Sequence, residues 1–227
     1  MLWQYERALQ RLAASDARLP GWITAYREET NRAGIALATR LGLQLSRYFI
    51  TMRRDLAAEV PQIHAPSEVR VVPFSETLSS ATLDARNDSF RDHWGNQPKT
   101  TEMWNSWVRG EVFSAELSRV AVIDVPDGPG ASSTRVVAFS LASVNDADQK
   151  GADLSSVHLD RIGVVRSHRG QKLAPAVISA TLQAAADSGF ERAVLEVDAE
   201  NPSGANLLYE RLGFVAGERL LAFVQVF

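Results

Sequence analysis

The sequence predicts an α+β fold, in which a mixed central sheet is flanked by helices and preceded by a shorter segment. From Val69 onward, Val-rich runs alternate with stretches whose apolar residues recur at helical spacing. The stretch 59–68 contains two prolines and little periodicity, which is typical of a linker. Residues 1–56 read as helical and end in an apolar run. We therefore expect a first segment (1–58), a linker (59–68) and a main domain (69–227).

The elements of the main domain follow from periodicity and from the residues that interrupt it. Thr100 or Thr101 fits the N-cap of the second helix, and Gly189 and Gly213 stop the last two helices. Strands are predicted at 69–73, 118–125, 134–144, 157–165 and 192–197, with one or two closing strands in 214–227. Helices are predicted at 76–92, 101–109, 172–188 and 203–212.

Composition excludes several classes of function. Of the 227 residues, 45 % are hydrophobic, which is enough for one good core or two small ones. A formal net charge of -3 leaves no basic face for a phosphate backbone, so we expect no nucleic-acid partner. The lack of cysteine excludes a disulfide scaffold, a thiolate nucleophile and a cysteine zinc site. No apolar run approaches the roughly 20 residues of a membrane span, and the first residues lack an apolar signal core, so we expect a cytoplasmic protein without membrane contact.

A short internal repeat links the first segment to the main domain. The run 38–43 matches the run 209–214 at an offset of 171 residues, with Arg-Leu-Gly in common. Both runs follow a helical stretch and precede an apolar run. This shared setting favours a structural repeat, and an unrelated helical extension is the alternative.

The segment 162–174 has the pattern of a phosphate-binding turn, because a strand leads through a polar turn into a helix with small residues at its start. The first N–H groups of a helix lack intrahelical partners and carry partial positive charge, which suits a pyrophosphate. Gly170 lets the backbone approach a ligand with no Cβ in between. The glycine spacing fits neither a Walker P-loop nor a dinucleotide-binding fingerprint. An ordinary strand-to-helix connection with a solvated basic turn is the alternative.

Two signatures then resemble those of a known family. The run Arg169-Gly170-Gln171-Lys172-Leu173-Ala174 resembles the Arg-Gly-x-Gly-x-Gly/Ala acetyl-CoA signature of the GNAT superfamily of N-acetyltransferases. The stretch 201–214, which includes Asn201, Tyr209 and Gly213-Phe214, resembles the second signature of that family. The two stand in the family's order and separation, and the resemblance covers residues 69–227. Lys172 replaces the middle glycine of the first signature, and Asn201 stands one residue further from Tyr209 than is usual.

This resemblance implies a reaction and a set of binding residues. It implies transfer of an acetyl group from acetyl-CoA to a primary amine of a small molecule or peptide, by direct attack and without a covalent enzyme intermediate. The alternative is a non-catalytic acetyl-CoA-binding sensor or structural module, which Lys172 favours. Acetyl-CoA is the implied acyl donor, no metal is expected, and a sticky strand edge in the first segment makes a homodimer a candidate assembly. The implied cofactor-binding residues are Ile162, Gly163, Val164, Arg169, Gly170, Gln171, Lys172, Leu173, Ala174, Pro175 and Asn201.

Four side chains are candidates for the proton transfers. Tyr209 matches the family's tyrosine that protonates the leaving thiolate, and its reference pKa of about 10 lies above the thiol's, about 8.5, so it holds a proton to donate. Glu196 lies on the strand before the second signature, where some members place a glutamate. Asp160 and His158 are two apart on one predicted strand and therefore on one face. Glu196 and Asp160 are the preferred bases, with a salt bridge or a polar group at a strand edge as the alternative for each.

The resemblance also bears on the acceptor pocket and on the first segment. The family's first two helices meet over the acceptor site near 92–98, so Trp94 and Trp104 are candidates to shape that pocket or are core aromatics. Tandem GNAT proteins exist, and mycothiol synthases are similar in layout. The first segment then resembles the tail of such a domain, in which a last helix, Gly42 and closing strands follow one another. It is shorter than the about 100–150 residues of a typical domain, so we interpret it as a partial copy. A mycothiol-type synthase is a third hypothesis, based on layout alone.

Overall fold

The computed structural model describes residues 2–14, 21–128, 132–145, 154–200 and 204–227. Within these ranges the helices are α1 (Leu2–Ala13), α2 (Arg32–Arg40), α3 (Ser79–Ser89), α4 (Thr101–Val108), α5 (Leu173–Asp187) and α6 (Ala205–Arg211). The strands are β1 (Trp22–Glu28), β2 (Gln44–Asp55), β3 (Arg70–Pro73), β4 (Phe113–Pro126), β5 (Ser132–Ser143), β6 (Ser156–Val164), β7 (Arg192–Asp198) and β8 (Val215–Val226). Among the described helices, none is both long and apolar enough to cross a bilayer.

The eight strands form one mixed sheet in the order β1-β8-β2-β7-β6-β5-β4-β3. Pairing is antiparallel between β3 and β4, between β4 and β5, and between β5 and β6. It is parallel between β6 and β7. At the other edge, β1 pairs antiparallel with β8. A mixed sheet with flanking helices confirms the predicted α+β class.

The chain divides into two compact units. Unit 1 consists of Met1–Met52, Glu196–Asn206 and Ala216–Phe227, and unit 2 consists of Arg53–Leu195 and Leu207–Val215. The stretch 59–68, interpreted from sequence as a linker, belongs to unit 2, where the side chain of Val60 is buried. The Nε2 atom of Gln62 there donates to Gln183 Oε1 at 3.0 Å. Whether residues 1–58 derive from a second domain stays a prediction.

Unit 2 has two apolar clusters. One joins α3 and α4 to the sheet through Leu83, Trp104 and Phe139, and the other joins α5 to the sheet through Val137 and Leu173. The strands between these clusters are buried on both faces of the sheet. This explains why apolar residues follow one another in their sequences without alternating with polar ones. Trp104, only 2 % exposed, donates from Nε1 to Ser79 Oγ at 2.9 Å. It is a core aromatic, which is the second of the two roles the sequence allowed.

The prediction that residues 1–56 are helical is wrong, because this stretch contains β1 and β2. Strand β2, which follows Gly42, is in the place where the resemblance implied closing strands. Strand β1 pairs with β8 at the far end of the chain, in a register that aligns Trp22 with Val226 and Glu28 with Leu220. Pairing with so distant a partner overrides local preference, since strand formation depends more on its neighbours than helix formation does.

The sequence repeat is also a repeat of local structure. Strands β2 and β8 each have 12 residues and begin at Gln44 and Val215, which are 171 positions apart. Before each strand, a glycine with a φ of 83° or 86° ends a helix, at Gly42 and Gly213 respectively. The next N–H donates back to the helix in both copies, from Leu43 to Ala38 O at 3.1 Å and from Phe214 to Tyr209 O at 3.0 Å. Ala38 therefore occupies in the first copy the position that Tyr209 occupies in the second.

Candidate active site

The predicted phosphate-binding turn lies between β6 and α5, in unit 2. A short 3-10 helix, Arg166–His168, follows β6, and α5 begins at Leu173. The four residues between them, 169–172, are exposed. Gly170 has a φ of 79°, and a Cβ built on it meets no atom within 4 Å. The backbone of the turn is therefore accessible to a ligand, as the sequence predicts.

Lys172 has a left-handed backbone, with a φ of 59° and a ψ of 21°. Among the described residues it alone combines a side chain with a positive φ. This conformation costs an L-residue roughly 1–2 kcal/mol and glycine almost nothing, which gives a physical reason for the glycine that the family signature has here. Lys172 is the N-cap of α5 but makes no side-chain cap bond, and the first turn contains no acidic residue. The amides that open α5 therefore face neither a capping side chain nor a carboxylate of that first turn.

Burial of one helix face fixes the start of α5. Leu173, the first helical residue, is 1 % exposed and belongs to a cluster with Val137, Ala138 and Val177. Full burial of a leucine side chain contributes about 1.5–3 kcal/mol. The apolar anchor directly after the exposed turn holds the helix N-terminus in place beside the end of β6.

Backbone groups of β6 are directed to the edge away from β5. Val165 N donates to Val137 O at 2.9 Å, so the alternation of an antiparallel ladder turns the N–H groups of Val164 and Ile162 to the opposite side. The parallel register with β7 runs from Ser156 to His158, whereas β6 continues to Val164. The amides of Ile162 and Val164 thus lie in the part of β6 beyond that register.

Gly163 sits where β6, β5 and α3 are in close contact. A Cβ on this residue would lie 2.9 Å from Phe139 Cε1, closer still to Phe139 Cζ, and 3.0 Å from Ser89 Cβ. Real side chains do not tolerate such contacts, so glycine is required here for packing. The sequence predicted Gly163 as a cofactor residue, and the structure adds this second reason for it.

Arg169 and Arg166 tie the turn to the end of α3 and to the residues that follow it. Arg169 Nη2 donates to Ser89 O at 3.1 Å, and Arg166 N donates to Asp88 Oδ2 at 3.0 Å. The guanidinium of Arg166 forms an ion pair with Asp92. Arg169 and Arg166 therefore position the turn, and the cofactor contact that the resemblance implies for Arg169 stays a prediction.

Tyr209 lies on α6 and is buried, with its ring 6.0 Å from that of Phe214 in an edge-to-face arrangement. Burial raises the pKa of Tyr209 to about 12, because the phenolate would be poorly solvated. The phenol is protonated at neutral pH, as predicted, but it holds its proton more firmly than a solvated tyrosine does.

The two predicted bases belong to different units. Asp160 is exposed on β6 in unit 2. It is the extra residue of a β-bulge, because Leu159 pairs with Ala142 and Arg161 pairs with the adjacent Leu141. The bulge interrupts the alternation that the sequence analysis used to place His158 and Asp160 on one face. Glu196 is exposed and belongs to unit 1. The pKa of Tyr26 in that unit is raised first by the partial burial of Tyr26 itself and then by the negative charge of Glu196. Asn201 lies outside the described residues.

Two clefts among the described residues of unit 2 bear on the position of the site. One of about 280 Å³ is next to the loop 92–98, which the sequence placed over the acceptor site. Its lining residues are Asp84, Asn87, Asp88, Arg91, Asn96 and Pro98. A larger one of about 640 Å³ includes Ala186 and Gly189, at the end of α5 opposite the turn. The smaller cleft is therefore the one beside α3 and the predicted acceptor loop.

Comparison with known proteins agrees with this geometry. Residues 81–214 match the acetyltransferase (GNAT) family. The structure of a GCN5-related N-acetyltransferase from Sphaerobacter thermophilus aligns with a TM-score of 0.75 and 21 % identity, over 99 % of this chain and 66 % of that one. A tandem GNAT protein from the clavulanic acid biosynthesis pathway aligns with a TM-score of 0.58 and 16 % identity, over 99 % of this chain and 68 % of that one. The chain thus spans about two thirds of the length of these two relatives.

A third structure, the NatC complex bound to Gag peptide and CoA, aligns with a TM-score of 0.51 and 14 % identity, over 70 % of this chain and 99 % of that one. At these identities the three likenesses show the fold. A search of curated proteins found no match.

Proposed function

Because the chain belongs to the acetyltransferase (GNAT) family, we propose that it transfers an acetyl group from acetyl-CoA to a primary amine of a small molecule or peptide. The observation that carries the proposal is the accessible turn at 169–172, whose left-handed residues Gly170 and Lys172 lead directly into the N-terminus of α5. Such a turn directs backbone N–H groups toward an anion, and the helix dipole favours negative charge at the same place.

The proposed binding of the pyrophosphate uses the amides from Gly170 to Ala174. Pro175 has no N–H, so this set of donors ends at Ala174. The exposed ammonium of Lys172 adds positive charge beside them. Residues of this kind fit a diphosphate, since it needs several donors and no nearby carboxylate.

The proposed chemistry is direct attack. The amine nitrogen forms a bond to the acetyl carbonyl carbon, the carbon–sulfur bond breaks, and the sulfur leaves as a thiolate. The amine gives up a proton to a base, and the thiolate gains a proton or a hydrogen bond. The amides of Ile162 and Val164 are the proposed donors to the carbonyl oxygen as its negative charge develops.

Tyr209 is the proposed partner of the thiolate, and its pKa defines that role. Proton transfer from a phenol of pKa about 12 to a thiolate whose acid has a pKa of about 8.5 is uphill by about 5 kcal/mol. We therefore expect Tyr209 to stabilise the thiolate by donating a hydrogen bond, with complete protonation by solvent afterwards. Asp160 is the preferred base because it belongs to the same unit and is open to water, which can relay the proton. Glu196 is the second candidate.

A non-catalytic acetyl-CoA-binding module is the second candidate function. Two observations favour it: the strained Lys172 in place of a glycine, and the raised pKa of Tyr209. Both would be tolerated by a protein that binds the cofactor without turning it over.

Calorimetric titration with acetyl-CoA, together with an assay of thiol release over a panel of amines, tests the proposal. We expect micromolar binding and amine-dependent thiol release. Binding without release from any amine would leave only the non-catalytic module, and a lack of binding would overturn both functions.

A pair of glycine variants tests the site itself. Gly170→Ala places a Cβ in a left-handed turn and should weaken acetyl-CoA binding by about tenfold or more, as expected for a loss of about 1.4 kcal/mol. Gly128→Ala is the matched control, because Gly128 has a φ of 95° and equally open surroundings but lies in the turn after β4. Equal effects of the two variants on binding would contradict the assignment of the turn.

A further inference from the structure

Three cations cluster between α3, β6 and the predicted acceptor loop in unit 2. Arg86 lies on α3 and is 5 % exposed, while Arg161 on β6 and Lys99 in the loop before α4 are half-buried. Helix α3 packs on β5 and β6, which brings Arg86 to the side of the sheet where Arg161 lies. None of the three entered the sequence analysis as a site residue.

The partners of these cations are mostly neutral. Arg86 donates from Nη1 to Gln97 O at 3.0 Å and to Asn87 Oδ1 at 3.1 Å, and from Nη2 to Asn96 Oδ1 at 2.5 Å. Its Nε is buried and has no partner among the described residues. The guanidinium carbon of Arg161 lies 3.9 Å from the centre of the Trp107 ring. Within the described ranges, no ion pair satisfies any of the three cations.

The surroundings of the cluster oppose its positive charge. Burial, and then repulsion by Arg161, lower the pKa of Arg86 to about 10. Burial, followed by repulsion from Arg86 and Arg161, lowers the pKa of Lys99. Burial also lowers the pKa of Arg161, and the neighbouring carboxylate of Asp160 offsets this only in part. Among the carboxylates of the adjoining cleft and loop, Asp88 pairs with Arg91 and Asp92 with Arg166, whereas Asp84 is exposed on α3. Like charges that are desolvated together destabilise a fold unless a counter-ion joins them.

The cluster lies close to the proposed place of acetyl transfer. Arg161 and Gly163 are two apart on β6, beyond the bulge, and therefore share a face. The face is that of α3, since a Cβ on Gly163 would contact Ser89. Two residues of a strand span about 7 Å, so the side chain of Arg161 starts close to the proposed place of acetyl transfer.

We propose that Arg161, assisted by Arg86 and Lys99, binds a carboxylate of the acceptor, so that the acceptor is an amine that also carries a carboxylate. This rests on the proposed acetyl transfer and names its substrate class. A carboxylate suits the donors that remain, because the Nη groups of Arg86 are already used and the guanidinium of Arg161 offers a planar fork. Its charge also offsets part of the mutual repulsion of the three cations.

Matched acceptors test the inference. Amino acids and the corresponding amino-acid amides differ only in the carboxylate, and aminoalkyl phosphates carry a different anion. We expect kcat/KM to be about 10- to 100-fold higher for the amino acids than for their amides, as expected for a lost hydrogen bond to a charged group. Arg161→Gln should abolish this preference, mainly through KM for the amino acid, and Arg161→Lys should retain part of it. A preference for phosphates, or no preference while amines are acetylated, would overturn the proposal and leave the acetyl transfer intact.

Arg119→Gln is the matched control variant. Arg119 is a half-buried arginine on β4, two strands away from β6 in the sheet, and its Nη1 donates to Glu116 O at 2.6 Å and to Ser118 O at 2.9 Å. Its removal should leave the preference for amino acids unchanged. If Arg119→Gln and Arg161→Gln reduce the preference equally, the effect is not specific to the cluster.

A second measurement does not depend on turnover. N-acetylglycine resembles a product with a carboxylate, and N-acetylglycinamide is its neutral match. We expect N-acetylglycine, but not the amide, to raise the melting temperature of the wild type and not that of Arg161→Gln. If N-acetylglycine raises the melting temperature in this way but no amine gives thiol release, the anion site is supported and the proposed acetyl transfer is refuted. Arg161→Gln should also melt no lower than the wild type, because repulsion is relieved. A clear decrease in melting temperature together with an unchanged ligand response would assign Arg161 a structural role only.

Discussion

Substituting Lys172 by alanine and by glycine separates the effect of its left-handed backbone from the effect of its charge. Its left-handed backbone costs an L-residue roughly 1–2 kcal/mol, and glycine adopts it freely. Lys172→Ala removes the ammonium alone, whereas Lys172→Gly removes the ammonium and the strain. Glycine also loses about 0.4–1 kcal/mol through the greater freedom of the unfolded chain. We therefore expect Lys172→Gly to be more stable than Lys172→Ala by about 0.5–1 kcal/mol.

The sign of this difference is the informative result. In a right-handed helix the order is reversed, so Ala180→Gly inside α5 should lower stability by about 1 kcal/mol. Urea-induced unfolding, followed by circular dichroism and tryptophan fluorescence, measures both differences. If Lys172→Ala is more stable than Lys172→Gly, the turn is not left-handed and the backbone geometry proposed for pyrophosphate binding is refuted.

The same two variants report on charge. Both lack the ammonium, so both should bind acetyl-CoA about two- to fivefold more weakly at low salt, as expected for one exposed ionic contact. The loss should shrink as salt is added, since the charges are screened. A loss shared by Ala and Gly is electrostatic. A loss confined to Ala means that the turn must change its conformation when the cofactor binds.

Three further substitutions test other parts of unit 2. Gly163→Ala should destabilise the protein by about 1–3 kcal/mol in urea unfolding because its Cβ overlaps Phe139, and adding Phe139→Leu should restore part of this. Tyr209→Phe should lower kcat about 10- to 100-fold with little change in acetyl-CoA affinity, as expected for one hydrogen bond to a charged thiolate. Burial raises the pKa of Tyr209 to about 12. The protonated phenol therefore contributes to the free energy of unfolding below pH about 10, and this contribution is lost as the pH rises through about 12. In Tyr209→Phe the free energy of unfolding should depend less on pH over this range. Arg54→Met should cost about 3 kcal/mol in urea unfolding, because Arg54 Nε donates to Leu212 O at 2.7 Å and this carbonyl would be left unpaired.

Each of these expectations has a clear contrary result. An unchanged stability of Gly163→Ala would mean that Phe139 moves aside. An unchanged kcat for Tyr209→Phe would remove the phenol from the mechanism, and a steep loss of stability at high pH in that variant would assign the titration to another group. An Arg54→Met variant as stable as the wild type would show that water replaces the guanidinium at Leu212 O.

The strands of unit 2 could be predicted to within one or two residues where both faces are buried and turn residues bound them. Strand β5 was predicted from its unbroken Val-rich pattern, and α5 from its apolar stripe and Gly189. Strand β1 could not be predicted, since it alternates over seven residues only and owes its existence to pairing with β8. Strand β4 begins at Phe113, five residues before the predicted start, because a register shift between Ser114 and Arg119 conceals its first part.

The candidate site divides in the same way. Its backbone part could be predicted, because a strand, a glycine turn and a helix start are local features of the sequence. The cation cluster could not, because Arg86 and Arg161 become neighbours only when α3 packs on β6. One signal was available: Arg86 lies on the buried face of α3, between Leu83 and Ser89, where a charge interrupts an otherwise uncharged stripe. The geometry at Asp160 was equally hidden, since a bulge depends on the partner strand.

The internal repeat provides a control for the role of Tyr209 within the chain itself. In both copies a helix ends at a left-handed glycine, the next N–H bonds back to the same helical position, and a strand of 12 residues follows. The first copy builds this arrangement with Ala38, which is fully buried. A tyrosine is therefore not needed for the helix end, the glycine or the strand, and burying its hydroxyl group opposes folding unless the group finds a partner. The helix end therefore does not account for Tyr209, which leaves its packing against Phe214 and its proposed hydrogen bond to the thiolate as the two roles that Tyr209→Phe separates.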